Sequence, residues 1–281
     1  MIKKTILAMS FATAVVSAST LDVGMIGHYT FEGDANDIGN SGNTLQIYGS
    51  SQFISSGHNG GQSLRTNGDQ SLYYNGGGYL VASFLQNRPM SSNGLTISFW
   101  TINESTGGIH PLENYLSLNT TGLSPGSIHL INGVSGTPQD SISGATLSYQ
   151  NLGWAGVGGG ATYPNGLTSW KMHTVSIVES SVSYYLDGQL VINVPTDVNL
   201  SSWELVTFGR KYWDSGSSAR MTVEWDDMRI YDRALSSTEV SNLYTTESVP
   251  EPSSLALLAL GGVMVALGRR RTKETHIFNI I

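Results

Sequence analysis

Cysteine is absent from the 281-residue chain, which excludes disulfide staples, thiolate-held metals and a cysteine nucleophile together. Charge is scarce as well: only 12% of residues are Asp, Glu, Lys or Arg, too few for long solvated helices. Positive charge is scarcer still once the two ends are set aside, for residues 19–250 hold 8 Lys and Arg against 19 Asp and Glu, a balance of −11. Phosphate binding needs a clustered cationic surface, so nucleic acid is excluded as a partner, while a divalent cation suits such a chain. No apolar run reaches the roughly 20 residues usual for a membrane span. What is plentiful is glycine, 33 residues of it, among many Ser, Thr and Asn. That composition describes short strands joined by tight turns.

The two ends differ from the middle. Met1 to Ala18 carries Lys3 and Lys4, an apolar stretch from Ile6 to Val16, and small residues at Val16-Ser17-Ala18, the three regions of a secretory signal in order. At the other end Val249-Pro250-Glu251-Pro252 breaks regular structure. Leu255 to Leu267 is then uninterrupted apolar, Ala or Gly, expected to form an apolar helix, and Arg269-Arg270-Arg271 follows at once. Cationic residues beside an apolar segment hold that flank in the cytoplasm, which places the preceding domain outside, in agreement with the signal.

Pro-Glu-Pro, apolar helix and Arg cluster in that order resemble the PEP-CTERM protein-sorting signal of exported proteins from Gram-negative bacteria that make extracellular polysaccharide. The resemblance implies an exosortase as partner, a membrane protease-transpeptidase that cuts near Pro250-Glu251-Pro252 and removes the helix. The chain would be held only transiently in the inner membrane before release to the cell envelope, surface or extracellular matrix. One departure is visible: Thr272 to Ile281 continues past the Arg cluster, where the family signal normally stops. The organisation read from the sequence is therefore a signal peptide at 1–18, one domain at 19–247, a sorting signal at 248–271 and a tail at 272–281.

Within the domain, apolar and polar residues alternate in runs bounded by Gly, Asn, Asp and Ser: Met25 to Phe31, Leu95 to Trp100, Ile128 to Ile131, Trp170 to Val178, Val182 to Leu186, Leu190 to Val194 and Met221 to Tyr231. A period of two predicts strands with one buried face. Asp187-Gly188 between two such runs predicts an antiparallel hairpin, because both residues accept positive φ. One helix is written clearly. Ser236-Ser237-Thr238-Glu239 is a capping box, and Val240, Leu243 and Tyr244 follow at helical spacing, so a short helix should pack on the sandwich after the last strand. Strands without interleaved helices give an all-β class, an antiparallel two-sheet sandwich or jelly roll.

Tyr29-Thr30-Phe31-Glu32-Gly33-Asp34-Ala35-Asn36-Asp37, Trp170 to Val175, Tyr185-Leu186-Asp187-Gly188 and Asp226-Asp227-Met228-Arg229-Ile230-Tyr231-Asp232-Arg233-Ala234-Leu235-Ser236 resemble the concanavalin A-like, laminin G-like domains. Such domains are jelly rolls that commonly bind sugars or proteins, which makes a matrix polysaccharide or an envelope protein the expected partner.

Asp34, Asn36 and Asp37 lie in a Gly/Asn-rich loop whose oxygens suit a hard cation such as Ca2+, although the same residues are ordinary turn formers. The resemblance implies that this loop joins the Asp before the Arg-Ile-Tyr strand, Asp226 or Asp227, at a structural calcium ion. Trp154, Tyr163, Trp203, Tyr212 and Trp213 fall in Gly- or Ser-rich loops and are the candidate sugar-stacking rings, set against ordinary packing under loops. Trp100, Trp170 and Trp225 fall in strand patterns and are expected in the core.

No catalytic set is complete. A retaining glycosidase needs two carboxyl groups about 5–5.5 Å apart. Glu224-Trp225-Asp226 begins the strand pattern that supplies them, but Met228 and Arg229 stand where the second Glu is required. Gly122-Leu123-Ser124-Pro125-Gly126 matches a nucleophile elbow, yet Pro125 has no N–H for an oxyanion hole. Gly156 to Ala161 lacks the βαβ setting of a dinucleotide loop. His28, His58, His110, His129, His173 and His276 show no zinc spacing, and His173 alternates as a packed strand residue. The expectation is a non-catalytic binding module. A glycoside hydrolase or lyase with Glu104, Glu113, Glu204 or Glu224 brought together from separate strands is the alternative.

Overall fold

The computed structural model describes residues 20–39, 41–67, 78–86, 93–103, 113–120, 127–132, 144–150, 156–157, 160–162, 169–195, 203–209 and 222–248. The signal segment, the sorting segment with its expected apolar helix, and the tail lie outside them. Sixteen strands are described. The first eight are β1 (Met25–Tyr29), β2 (Gln46–Tyr48), β3 (Ser51–Ile54), β4 (Ser63–Thr66), β5 (Tyr79–Val81), β6 (Leu95–Asn103), β7 (Glu113–Thr120) and β8 (Ser127–Asn132). The second eight are β9 (Gly144–Gln150), β10 (Gly156–Val157), β11 (Gly160–Thr162), β12 (Lys171–Val178), β13 (Ser181–Leu186), β14 (Gln189–Pro195), β15 (Trp203–Phe208) and β16 (Val223–Tyr231), followed by helix α1 (Ser237–Glu247).

Every pairing is antiparallel between these strands. One sheet runs β14-β13-β12-β6-β16-β4-β3 with β1 also on β16; the other runs β10-β9-β8-β7-β15-β5-β2 with β11 also on β9. Each alternating run read from the sequence holds a strand, although the first stops at Tyr29 short of Phe31 and Met221 of the last lies outside the described residues, and the two-sheet sandwich is as expected. Within the glycine run, Gly156–Val157 and Gly160–Thr162 pair with β9.

Period two explains the core. Leu95, Ile97 and Phe99 of β6 point between the sheets to meet Leu116, Leu118, Val206 and Phe208, while Trp100 points the other way. Phe99, Phe208 and Trp225 meet edge-on or tilted, with centroids 5.4–6.1 Å apart, the geometry that aromatic quadrupoles favour. Truncating such a buried ring removes about 3–5 kcal/mol.

The outer face of the first sheet is covered too. Trp100, Met172, Tyr185 and Tyr231 pack there against Leu235, Val240 and Leu243. The capping box forms as written: Glu239 N–H donates to Ser236 Oγ (3.3 Å) and Ser236 N–H donates to Glu239 Oε2 (2.8 Å). Where the chain crosses this face before α1, β6 and β12 present hydroxyls in place of apolar side chains. Thr96 Oγ1 accepts the Leu235 N–H (2.8 Å) and Ser176 donates to the Leu235 carbonyl (3.2 Å).

The β13–β14 hairpin turns at Asp187 (φ +48°) and Gly188 (φ +75°), the primed turn that matches strand twist. A Cβ on Gly188 would lie 2.9 Å from the Tyr244 Cβ, so glycine also admits the helix.

Candidate functional site

One strand edge is shared by two partners. β16 pairs with β6 along one side; on the other, Val223–Trp225 pair with β4 and Met228–Tyr231 pair with β1. The hand-over falls at Asp226–Asp227, where the β6 register shifts and Asp227 takes φ +41°. Phe31, buried and just past β1, also stands at positive φ (+52°), a conformation that bulky residues rarely adopt. Backbone in such regions costs about 1–3 kcal/mol per residue and concentrates at functional sites.

The turn after β3 fills this seam. His58 N–H donates to Asp226 Oδ2 (2.7 Å), and Asp227 N–H donates to Asp226 Oδ1 (2.9 Å). Asp227 in turn lies 3.9 Å from His28 Nε2 and 4.0 Å from His58 Nδ1. His58 stacks on Trp100 with ring centroids 3.5 Å apart. Trp100 Nε1 donates to Glu247 Oε2 (2.7 Å), and Arg229 pairs with Glu247 Oε1 (2.8 Å). The last residue of α1 is thereby tied to the seam, and Asn59 adds a bond to its carbonyl (2.7 Å).

The two adjacent acids are pushed apart. Burial, then the charge of Asp227, raises the Asp226 carboxyl to about 8, against the two amide hydrogen bonds and with a smaller upward push from Glu32. Burial would also raise Asp227, but the neighbouring His28 and His58 rings and the Arg229 charge hold it well below the usual carboxylate range. Burial raises Glu247 to about 7 even beside Arg229. A buried acid driven toward its neutral form by neighbouring acids is a place where a cation would be welcome.

The oxygens there converge. The position a Cβ on Gly57 would occupy lies 2.6 Å from the Gly60 carbonyl oxygen, 2.7 Å from that of Gln62 and 3.0 Å from Asp226 Oδ2. Glu32 sits beside this cradle, accepting the Gln62 N–H (3.0 Å). That Cβ position is one bond length from the Gly57 Cα, so these oxygens pack directly on the glycine and leave no room there for a side chain. Among the described residues no three His, Asp or Glu side chains converge on one point, so any ion would lean on backbone carbonyls.

Of the acids singled out in the sequence, Asp226 and Asp227 share the seam. Asp37 instead ties down its own loop, accepting N–H bonds from His28 (2.8 Å), Gly39 (2.9 Å), Ser41 (3.1 Å) and Gly42 (3.1 Å), as well as the Ser41 hydroxyl. Asp34 accepts the Asn36 N–H (2.9 Å), and Asn36 Oδ1 accepts from Thr44 (3.4 Å), both in that exposed loop. Trp203 opens β15, but its side chain lies outside the described part, as do Trp154, Tyr163, Tyr212, Trp213 and the Pro250 to Arg271 signal. Trp100 and Trp225 are buried as expected and Trp170 is half-buried. His28 and His58, set aside for want of spacing, meet around Asp227. Their signal was only that both flank the loops that bear the acids.

Glu224 and Asp226 face the same way from β16, two residues apart. Glu224 is 2% exposed and accepts from Arg65 (2.7 Å) and Ser56 (2.6 Å); Asp226 is 4% exposed. Glu113 and Glu204 lie in strands whose side chains are outside the described part, and Glu104 lies outside it altogether.

Two stacked antiparallel sheets with a helix on one outer face define a lectin-type jelly roll. The chain belongs to the concanavalin A-like lectin/glucanases superfamily, whose family model matches residues 74–241. A PEP-CTERM protein-sorting motif matches residues 248–271; it marks the chain for export to the cell envelope and implies processing by an exosortase. Among the described residues no helix is long and apolar enough to cross a membrane. No curated protein matches the chain in sequence. Among solved structures it is similar to domain 4 of AbnA, a GH43 extracellular arabinanase from Geobacillus stearothermophilus in complex with arabinotriose (18% identity, TM-score 0.59, 78% of this chain and 98% of that one). It is also similar to botulinum neurotoxin type C, described as entering cells through two ganglioside molecules (15% identity, TM-score 0.55, 82% of this chain). A third is the binding domain of botulinum neurotoxin DC in complex with rat synaptotagmin II (13% identity, TM-score 0.55, 81% of this chain). This chain spans about half the length of the toxin chains, 53% and 52%. At these identities the likeness is one of fold.

Proposed function

We propose that this protein is a surface-delivered, non-catalytic binding module that engages a polysaccharide of the cell envelope or extracellular matrix. The observation that carries the reading is the joining of a lectin-type sandwich to a PEP-CTERM motif that begins directly after α1. Met1 to Ala18 starts export, Leu255 to Leu267 holds the chain transiently in the inner membrane, and an exosortase cuts near Pro250-Glu251-Pro252. Trp154, Tyr163, Tyr212 and Trp213, with Trp203 at the start of β15, supply flat apolar faces for sugar rings. The sealing of Glu224 and Asp226 under the turn after β3 supports binding over hydrolysis, since a glycosidic bond has no approach to a carboxyl that is buried and already hydrogen-bonded.

A structural Ca2+ ion belongs to the same reading. Asp226 would give up its proton to supply a carboxylate to it, and Glu32, whose charge already reaches Asp226, stands near. When bound, it supplies positive charge that joins the turn after β3 to the seam. Asp227 then stays with its two histidines, and Asp37 keeps the neighbouring loop closed.

The test has two parts. Mass determination of the mature cell-associated protein should show loss of the residues after Pro252. The purified protein should bind members of a polysaccharide panel without releasing sugars. Released oligosaccharide would instead favour a glycoside hydrolase or lyase, and an intact C terminus would remove the delivery route.

A further inference from the structure

Edge strands are normally blunted by charge, because their open backbone and exposed side chains invite contact. β2, the last strand of its sheet, carries none: no Asp, Glu, Lys or Arg occurs from Ile38 through Leu64. All three of its residues are exposed. Tyr48 is 42% and Ile47 37% exposed, among the few large apolar side chains on the described surface.

The Tyr48 ring is not loose. It lies almost parallel to the ring of Tyr79, its cross-strand neighbour on β5, at 10° with centroids 5.0 Å apart. Leu80 faces the core, so Tyr79 faces outward, and Tyr48 with it. The Tyr48 hydroxyl donates to Gln46 Oε1 (2.9 Å), which fixes the ring from its tip and leaves the Gln46 NH2 group for another acceptor. A backed flat ring beside an exposed amide, with no charge on the strand or its flanks, matches the alternating C–H faces and hydroxyls of an uncharged pyranose or furanose. A strand of three residues is too short to recruit another backbone strand with any register.

We infer that Tyr48, backed by Tyr79 and flanked by Gln46, is a stacking subsite for neutral polysaccharide at the β2 edge. It rests on the carbohydrate-binding reading above, but on residues that reading does not name, at the edge where β2 ends its sheet.

Affinity electrophoresis of the purified protein in gels containing debranched arabinan, galactomannan or the acidic polymer alginate tests it. Wild type should be retarded by at least one neutral polymer. Tyr48→Ala should weaken that retardation roughly tenfold, with Tyr48→Trp and Tyr48→Phe retaining it and all thermal midpoints close to wild type. Gln46→Ala should give a smaller loss in the same gels. Retardation of Tyr48→Ala equal to wild type would remove the subsite and leave the general reading standing; no retardation of wild type by any polymer would remove both. Retardation confined to alginate, or a concentration-dependent dimer abolished by Tyr48→Ala, would also overturn the inference, the latter because the edge would then be a self-association face.

Discussion

His173 allows the sharpest check on the packing. It sits between the sheets, 1% exposed, stacked on Phe99 (5.5 Å between centroids) with its Nδ1 3.0 Å from the Tyr184 hydroxyl. Burial, then the Lys171 charge, lowers its pKa from 6.5 to about 3. An unfolded chain accepts a proton on this ring as pH falls below 6.5, and the folded chain refuses it until about 3. The ring's share of stability is therefore whole above 6.5 and is lost progressively down to 3. One and a half pH units at about 1.4 kcal/mol each gives a loss of about 2 kcal/mol by pH 5. Asp226 works with the opposite sign, since its raised carboxyl holds a proton in the fold that the unfolded chain has released, so acid from pH 8 toward 4 favours the folded state there. Wild type alone would mix the two. His173→Gln keeps a hydrogen-bonding side chain without a titrating ring, so the difference between proteins isolates the histidine. Urea unfolding followed by tryptophan fluorescence at pH 7.5 and pH 5.0 should show wild type losing about 2 kcal/mol more than His173→Gln. Equal losses in the two proteins would mean that the imidazole titrates alike folded and unfolded, and the buried placement would be wrong.

Three further outcomes follow from the seam and the helix. Calcium should raise the thermal midpoint of wild type over its value in chelator, and Asp226→Asn should lose that response; an unchanged wild-type midpoint counts against the ion. Arg229→Met leaves Glu247 buried without its guanidinium and should cost about 3–5 kcal/mol in urea unfolding, with Trp100 fluorescence changing as its Glu247 partner shifts. Ser236→Ala removes the helix cap and should cost about 1 kcal/mol, read by the same assay.

Local chemistry was legible in the sequence. Asp187-Gly188 makes its turn and Ser236 with Glu239 makes its cap because each is decided within four residues, and β1, β6, β8, β12, β13, β14 and β16 follow from alternation, whereas β7, β9 and β15 were not read from it. β2 and β5, three residues each, were not legible, because so short a run carries no period. Asp37 shows why acids in a loop were ambiguous: a carboxylate that closes a turn and one that holds an ion read alike until its amide partners are seen. His28, His58 and Asp227 were beyond any spacing rule, since only the pairing of β1 with β16 and the turn after β3 bring them together.

The seam exists because one strand outruns its neighbour. β4 ends its pairing at Trp225 and β1 begins at Met228, so the backbone between them must find partners outside the ladder or remain unsatisfied. The Asp227 N–H turns to the Asp226 carboxylate, which also accepts the His58 amide from the turn after β3, and glycine at 57 lets the Gly60 and Gln62 carbonyls crowd in. Acids at 226 and 227 are tolerable there only because each has a different relief: histidines and Arg229 for one, amides and protonation or a cation for the other. The same arrangement fastens the end of α1. Glu247 is bound by Arg229, Trp100 and Asn59, so the fold is fastened at the residue before 248, where the sorting motif starts. A module released by a cut at Pro250-Glu251-Pro252 would therefore keep the three bonds that fasten the end of its helix to the seam.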